Sequence, residues 1–333
     1  MIQEPVAQRR TGMVWLGSRW AWPVYGLLLL ALPLVLSGEY PRHLLVLSLI
    51  FALLATGLNI TMGYVGYLPF GYLIFFAIGA YTSTLLAIHA GVSFWLGVPA
   101  AGLLSAVFAV GIGAPSLRLR GPYFAITTLA FAEIGVLVLN NWMDVTRGPM
   151  GIPGVPRPTL PLTSGAFVFD NGLSWYYLML GILVIALVLV HRLIHSRIGD
   201  ALIAIRENED LAESIGIPGF RYKLLGFTLS AAIAGCAGSA YAHYFTIVSP
   251  ELAGFYFIIT TFTMVIIGGQ GTLAGPVLGA VVFTLLPELL RAAKLWRMVF
   301  FGALMLAGIV FLPRGLKGLW DDLTTRPRNG SAR

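Results

Sequence analysis

Between Arg42 and Arg118 the chain carries no Asp, Glu, Lys or Arg, and between Lys223 and Glu251 there is again none. A water-soluble domain cannot be written this way, because soluble sequences hold about a quarter charged residues. Here 58% of the 333 residues are hydrophobic and 11% are charged. A helix needs about 20 apolar residues to cross a bilayer, and the first uncharged run has room for several such crossings. The chain is therefore expected to be an all-α, polytopic transmembrane helix bundle whose core forms within lipid. The single Cys236 lies in an apolar run, so no disulfide forms within the chain. The net charge of +7 is explained by basic loops on the inner side of a membrane, without a nucleic-acid partner.

Apolar runs predict spans at 24–36, 43–62, 71–89, 94–114, 121–142, 173–193, 223–245, 254–270, 274–290 and 297–313, about ten in all. The first run can also be read as a cleaved leader, but its Trp-rich entry and late start favour a retained span. With the N-terminus in the cytoplasm, about 15 Lys and Arg fall inside and about 6 outside. The cluster Arg291, Lys294 and Arg297 is the exception. An even number of spans puts both termini in the cytoplasm. The expected divisions are a cytoplasmic tail at 1–21, a membrane domain at 22–313 and a cytoplasmic tail at 314–333. The membrane domain contains a cytoplasmic loop at about 194–222 and an external loop at about 143–172.

The cytoplasmic loop is the most informative stretch. From Arg197 to Lys223 it holds four basic and five acidic side chains, each expensive in hydrocarbon, so it faces water. Ile198, Leu202 and Ile205 fall on one helical face, and Leu211 and Ile215 continue the stripe after a break. Asn208 is placed to cap a second short helix with Glu209 and Asp210 in its first turn. Gly216 followed by Pro218 is a stop signal. Two short amphipathic helices on the water side suggest a docking surface; an ordinary solvated loop is the other reading.

Two Gly- and Pro-rich stretches interrupt the spans: 63–71 (Gly-Tyr-Val-Gly-Tyr-Leu-Pro-Phe-Gly) and 268–276 (Gly-Gly-Gln-Gly-Thr-Leu-Ala-Gly-Pro). Irregular backbone at membrane depth is tolerated only where protein covers it or a watery cavity meets it, and broken helices mark substrate pathways in transporters. A tight loop at the membrane face is the alternative. Small residues four apart, at Ala231, Gly235 and Ser239 and again at Gly275 and Gly279, suit close helix packing. In the external loop, the Pro and Gly between Thr146 and Pro158 oppose a helix and favour turns.

Chemistry is sparse. No phosphate-binding G-x-x-x-x-G-K-[ST] loop is present, so the chain is not expected to hydrolyse nucleotide. His191 and His195 share a helical face, but Arg192 stands where a zinc protease needs Glu and no third ligand follows, so no metal is expected. No nucleophile–base arrangement can be assembled. Glu133 is the sole acid between Arg120 and Asp144 and lies in mid-span, where a carboxylate is a functional candidate by default. It could serve a polar pathway, carry protons in a self-sufficient secondary transporter, or simply bond to a neighbouring helix. Asn59, Thr127, Thr128 and Asn140 are weaker candidates of the same kind.

Several short motifs occur together: Gly57-Leu58-Asn59, Phe75-Phe76-Ala77-Ile78-Gly79-Ala80-Tyr81, Leu117-Arg118-Leu119-Arg120-Gly121, Gly151-Ile152-Pro153-Gly154, Ala204-Ile205-Arg206-Glu207-Asn208-Glu209, and Gly268-Gly269 with Gly271 and Gly275-Pro276. In these the chain resembles the permease subunit of the branched-chain amino-acid ABC importers, the LivM type, from about Gly57 to Pro313. The resemblance implies a bacterial inner-membrane subunit without cofactor or enzymatic activity of its own. It implies coupling to separate ATPases, which hold ATP and Mg, through Arg206, Glu207, Asn208, Glu209, Ala212, Glu213 and Gly216. It further implies a second, homologous permease, two ATP-binding cassette ATPases and a periplasmic substrate-binding protein as partners, besides membrane lipid. The expected pathway residues are Asn59, Tyr67, Tyr72, Tyr81, Thr127, Glu133 and Asn140, with Gly268, Gly269, Gly271 and Gly275 structural. One departure stands out: where the family commonly has Gly-Gln-Leu-Ser-Leu-Gly-His, residues 66–72 here read Gly-Tyr-Leu-Pro-Phe-Gly-Tyr. Three polar residues have become Tyr67, Pro69 and Tyr72, which opens urea, amides or another small solute as alternatives to branched-chain amino acids.

Overall fold

A computed structural model describes residues 30–34, 38–162 and 165–289, with the isolated positions 302 and 306. The expected tails at 1–21 and 314–333, nearly all of the expected span at 297–313, and most of that at 24–36 lie outside the described residues.

The described chain is mostly helical. In order come α1 (Glu39–Asn59), prolonged by a π-wound turn (Ile60–Val65), α2 (Leu73–Ala90), α3 (Phe94–Ser116), α4 (Pro122–Asn141) and the one-turn α5 (Met143–Thr146). Then follow α6 (Gly172–Ile194), the short α7 (Arg197–Glu207) and α8 (Glu209–Ser214), α9 (Gly219–Phe245), α10 (Phe255–Gly269) and α11 (Gly275–Leu289). Six helices are long and apolar enough to cross a membrane: Glu39–Val65, Leu73–Ala90, Phe94–Ser116, Pro122–Asn141, Gly172–Ile194 and Gly219–Phe245. The helices α10 and α11 are apolar but shorter, 15 residues each. The expectation of about ten spans thus meets six long and two shorter apolar helices among the described residues.

Helix ends follow local chemistry. Gly66 (φ 85°) stops the π turn and Gly91 (φ 61°) stops α2 in the left-handed region, where glycine has no Cβ to clash. Pro122 opens α4, a position where its missing N–H costs nothing. The chain is not wholly α. In the loop expected to be external, β1 (Ile152–Pro153) pairs with β4 (Ile247–Val248), which follows α9, and β2 (Thr159–Leu162) pairs with β3 (Gly165–Val168), both antiparallel. The Gly and Pro that oppose a long helix there leave the backbone extended, and extended segments satisfy their polar groups by pairing.

The centre of the bundle is α9, which runs along α3 and α2 and also meets α1; α1 in turn packs on α6 and α11. The small residues read from the sequence explain this. Ala231, Gly235, Gly238 and Ser239 are all buried. A Cβ at Gly238 would land on the Phe76 carbonyl, and one at Gly235 on Ser105 and the Ala101 carbonyl. Gly79 meets the Gly235 backbone from the other side. Backbones this close gain dispersion contacts that lipid tails cannot supply. The stretches 63–71, 117–121, 195–218 and 270–274 gather at one end of the bundle, and the described residues of 143–172, together with 246–254, lie at the other.

Gly238→Ala is therefore expected to destabilise the folded chain by about 1–3 kcal/mol through overpacking, read as a lower unfolding midpoint in detergent. Gly181→Ala on α6 is the control, since a Cβ there meets nothing within 4 Å, and it should leave the midpoint unchanged or slightly raised.

Candidate functional site

The charged island folds as two short helices. Ser196 caps α7, its hydroxyl accepting from the Ile198 N–H at 3.2 Å. Gly199, Ala201, Leu202 and Ile205 are buried and seat α7 on the bundle. At Asn208 the backbone turns extended (φ −160°, ψ 106°), and the Asn208 side chain accepts from the Leu211 N–H at 3.0 Å, capping α8. Gly216 (φ 89°) closes the motif, its N–H donating to the Glu213 carbonyl at 3.0 Å. The predicted helices, cap and stop are all present. The apolar stripe divides at the break: Leu202 and Ile205 turn inward, and Leu211 and Ile215 do not. On α8 only Ala212 is buried, while Leu211 is 62% and Ile215 is 70% exposed. The break at Asn208 rotates α8 so that its apolar residues face outward.

Two polar knots tie this island to the bundle. In the first, the Lys223 side chain near the start of α9 is only 3% exposed and pairs with Glu209 at 2.5 Å. The Tyr67 hydroxyl donates to the other Glu209 oxygen at 2.7 Å. The Lys223 ammonium also donates to the Tyr67 oxygen at 3.3 Å and to the Leu117 carbonyl at 3.4 Å. This buried cation thus has three acceptors, which is what a buried ammonium requires. At the exposed rim, Arg120 pairs with Asp210 at 2.9 Å. Burial pushes the Glu209 carboxyl up, but the hydrogen bonds from Lys223 and Tyr67 and the charges of Lys223 and Arg120 outweigh it and hold the group below its ordinary value. Burial and the Glu209 charge push the Tyr67 phenol well up, so it stays a donor.

In the second knot the Arg206 guanidinium donates to the Gly63 carbonyl at 2.6 Å. Asn59 is buried where α1 becomes π-wound. Its amide NH2 donates to the Thr272 carbonyl at 2.8 Å, and its oxygen accepts from the Gly271 N–H at 2.9 Å. The glycines at 268–275 hold the loop on the other side. Gly269 and Gly271 have φ of 118° and 73°. A Cβ on Gly268 would strike the Gly275 carbonyl, and one on Gly275 the Gly269 carbonyl.

The expected pathway residues do not form one lining. Asn59 belongs to the second knot and Tyr67 to the first. Tyr72 is fully buried, its hydroxyl donating to the Leu54 carbonyl at 2.9 Å. Tyr81 is buried with no hydrogen-bond partner among the described residues. Thr127, Glu133 and Asn140 lie on α4, where Glu133 is exposed and the other two are half-buried. Of the expected coupling residues, Glu207 and Glu213 are exposed and Ala212 is buried. Lys223, Leu117, Thr272 and Arg120 are the participants that spacing alone could not assign, since their partners lie on other elements. Among the described residues no cluster of His, Cys, Asp or Glu could hold a metal ion.

The family model for the branched-chain amino acid transport system permease component matches residues 40–309. The chain is 36% identical to the high-affinity branched-chain amino acid transport system permease protein LivM of Escherichia coli, over 86% of this chain and 72% of that protein. Its identity to the LivM protein of Salmonella typhimurium is 37%, over 81% of this chain and 68% of that protein. It is also similar to the permease protein LivH of Escherichia coli, at 25% identity over 80% of this chain and 91% of that protein. No solved structure matches the chain.

Removing one partner of a buried ion pair costs about 3–5 kcal/mol, so Lys223→Met should lower the unfolding midpoint sharply. Because the Glu209 carboxyl is more acidic in the folded chain, its contribution is complete above the ordinary carboxylate range and is lost as pH falls through its own, lower value. The parental midpoint should therefore drop in that acid range. Glu209→Gln should begin lower and show a smaller drop.

Proposed function

The chain belongs to the family of branched-chain amino acid transport system permease components, and from that premise we propose that it forms the membrane pathway of an ATP-binding cassette importer driven by separate ATPase subunits that dock on α8. The observation that carries this reading is the inversion of α8. Two large apolar side chains, Leu211 on the six-residue α8 and Ile215 at its C-cap, are more than 60% exposed, while the same helix is anchored inward through Glu209. An apolar pair presented to water and rimmed by Glu207, Asp210 and Glu213 fits a protein partner. The island end is the cytoplasmic one on this reading: of the ten Lys and Arg among the described residues, seven (Arg118, Arg120, Arg192, Arg197, Arg206, Arg221, Lys223) lie there and three (Arg42, Arg147, Arg157) at the other end. The membrane is then the bacterial inner membrane, and the external loop, with Met150 85% exposed, faces a periplasmic binding protein.

The solute on this reading is a branched-chain amino acid or a related small molecule, as the names of the relatives suggest. The departure at 66–72 gives weak support to urea or an amide. Tyr67 is bonded to Glu209 and Tyr72 is sealed in the core, so the first replacement is explained by the first knot and the second by core packing.

A second, homologous permease is placed against α4. Only 17% of the apolar window of α4 is buried, against 89% for Glu39–Val65, and Glu133 stands on its open face without a hydrogen bond or ion pair among the described residues. That face needs a protein or water neighbour, because a carboxylate in lipid is expensive. The same observation favours the rival reading, a proton-coupled transporter acting through Glu133. Uptake by the purified chain alone in liposomes, driven by a proton gradient and lost in Glu133→Gln, would establish the rival.

The deciding experiment for the ATPase reading is purification from native membranes in mild detergent. ATPase subunits are expected to accompany the parental chain, and Leu211→Glu or Ile215→Glu should reduce their recovery by about tenfold or more with membrane insertion intact. Gly216→Val, which forces a β-branched residue to positive φ, and Glu207→Ala should uncouple uptake from ATP hydrolysis. Undiminished ATPase recovery in both α8 variants would remove the docking role.

A further inference from the structure

The second knot joins three pieces of chain that are remote in sequence, and it does so where, among the described residues, a long apolar helix turns from α to π winding. Asn59 precedes the π turn at Ile60–Val65, and Gly63 lies inside it. A π turn leaves its carbonyls out of α register and occurs often at functional sites. Here the Gly63 carbonyl is taken by Arg206 of α7, 143 residues away. The Asn59 amide reaches across to the loop between α10 and α11, where it satisfies both the Gly271 N–H and the Thr272 carbonyl. The Arg206 side chain lies against the same loop: a Cβ built on Gly271 would come within 2.9 Å of its guanidinium nitrogen, and one on Gly66 within 2.9 Å of its Cγ. A Cβ on Gly63 would fall on the Asn59 oxygen and the Gly271 amide. Glycine is therefore required on both sides because the two breaks touch each other and Arg206 at backbone distance.

The elements of this arrangement are joined at points where a small shift would be felt. A π turn differs from α winding by one residue of register, so a change in its winding would displace the chain on one side of it by that amount. The 270–274 loop is held by Asn59 and by Thr272, whose hydroxyl donates to the Gly269 carbonyl and accepts from the Gly275 N–H. Arg206 is the penultimate residue of α7, two before the extended Asn208 from which α8 swings. A displacement of α8 thus acts close to the guanidinium, whose charge-assisted hydrogen bond to Gly63 links α7 to the π turn.

We propose that Arg206 and Asn59 are positioning residues that clasp the two Gly-rich breaks together, so that movement of α7 and α8 shifts the π turn and the 270–274 loop as one unit. The inference rests on the docking reading for the source of the movement, but the clasp itself can be tested without it.

The test reads the mobility of each break separately. In a Cys236→Ser background, a maleimide label is directed to the first break by Val65→Cys, a buried position, and to the second by Leu273→Cys, a half-buried one, so that the labelling rate depends on local opening. In the chain alone, Arg206→Leu and Asn59→Leu are each expected to raise the labelling rate at both positions by about fivefold, since either change opens the shared clasp. Arg206→Lys, which keeps a charged donor for Gly63, should stay near the parental rate. The double variant Arg206→Leu with Asn59→Leu should exceed neither single one by much, the signature of residues acting as a unit. Loosening confined to the nearer break, rates that add in the double variant, or no change would each overturn the clasp. With co-purified ATPase, ATP and vanadate should alter labelling of both breaks together in the parental complex and of at most one in the Leu variants. Joint loosening in a chain that brings no ATPase keeps the clasp and removes the docking reading. Co-purified ATPase without joint loosening does the reverse.

Discussion

Hydrocarbon offers no hydrogen bonds, so every backbone N–H and C=O in the membrane must find its partner within the chain. Along the spans the helices meet this requirement themselves, and the side chains are free to be small and apolar where α9 lies against α2 and α3. The requirement becomes acute only where a helix stops. At those points the chain spends its few polar side chains: Asn59 on Gly271 and Thr272, Arg206 on Gly63, Thr272 on Gly269 and Gly275, and Lys223 on Leu117. The groups that satisfy the breaks are carried partly by the charged island, which ties the island to the bundle interior.

The island itself divides into a fixed part and a presented part. Burial of Leu202 and Ile205 holds α7 to the bundle, whereas α8 buries Ala212 alone and depends on Glu209 for its inward anchor. A buried pair such as Lys223–Glu209 adds little net stability over an apolar substitute of the same shape, because desolvation offsets most of the attraction. What it does fix is geometry. A carboxylate that must reach both Lys223 and Tyr67 sets the position of α8 relative to the start of α9 and to the first break. An outward apolar face on a helix held this way can receive a partner and pass on its movement.

Much of this was legible in the sequence, and the parts that were not share a cause. Missing charge located eight apolar helices among the described residues to within a few residues, because a helix that can cross a membrane is set by composition along the chain. Asn208 and Gly216 declared their roles because caps and left-handed stops are local chemistry. Periodicity gave α8 an apolar face but not its direction, since the turn at Asn208 that reverses it is a single backbone conformation. Asn59, Tyr67 and Tyr72 looked alike from the sequence, polar groups beside a break. The structure separates them by partners 18 to 213 residues away, which no window along the chain can contain. Small-residue spacing did predict where backbones approach, because there the signal is the absence of a side chain and needs no knowledge of what fills the space.

The least covered span shows what the isolated chain leaves undone. On α4 the apolar residues Tyr123, Ile126, Ile134 and Leu137 are exposed in a row with Glu133 among them. Lipid would accept the first four and penalise the fifth. A face that mixes a bilayer-compatible stripe with one carboxylate is suited to a boundary, with protein on one flank and water on the other. The two knots hold the end of the bundle at which α4 begins, and Lys223 bonds the carbonyl of Leu117, five residues before α4 starts. Glu209 and Lys223 therefore connect α8 to the base of α4 as directly as Glu209 and Tyr67 connect it to the first break, and α4 is the least buried of the six long apolar helices among the described residues.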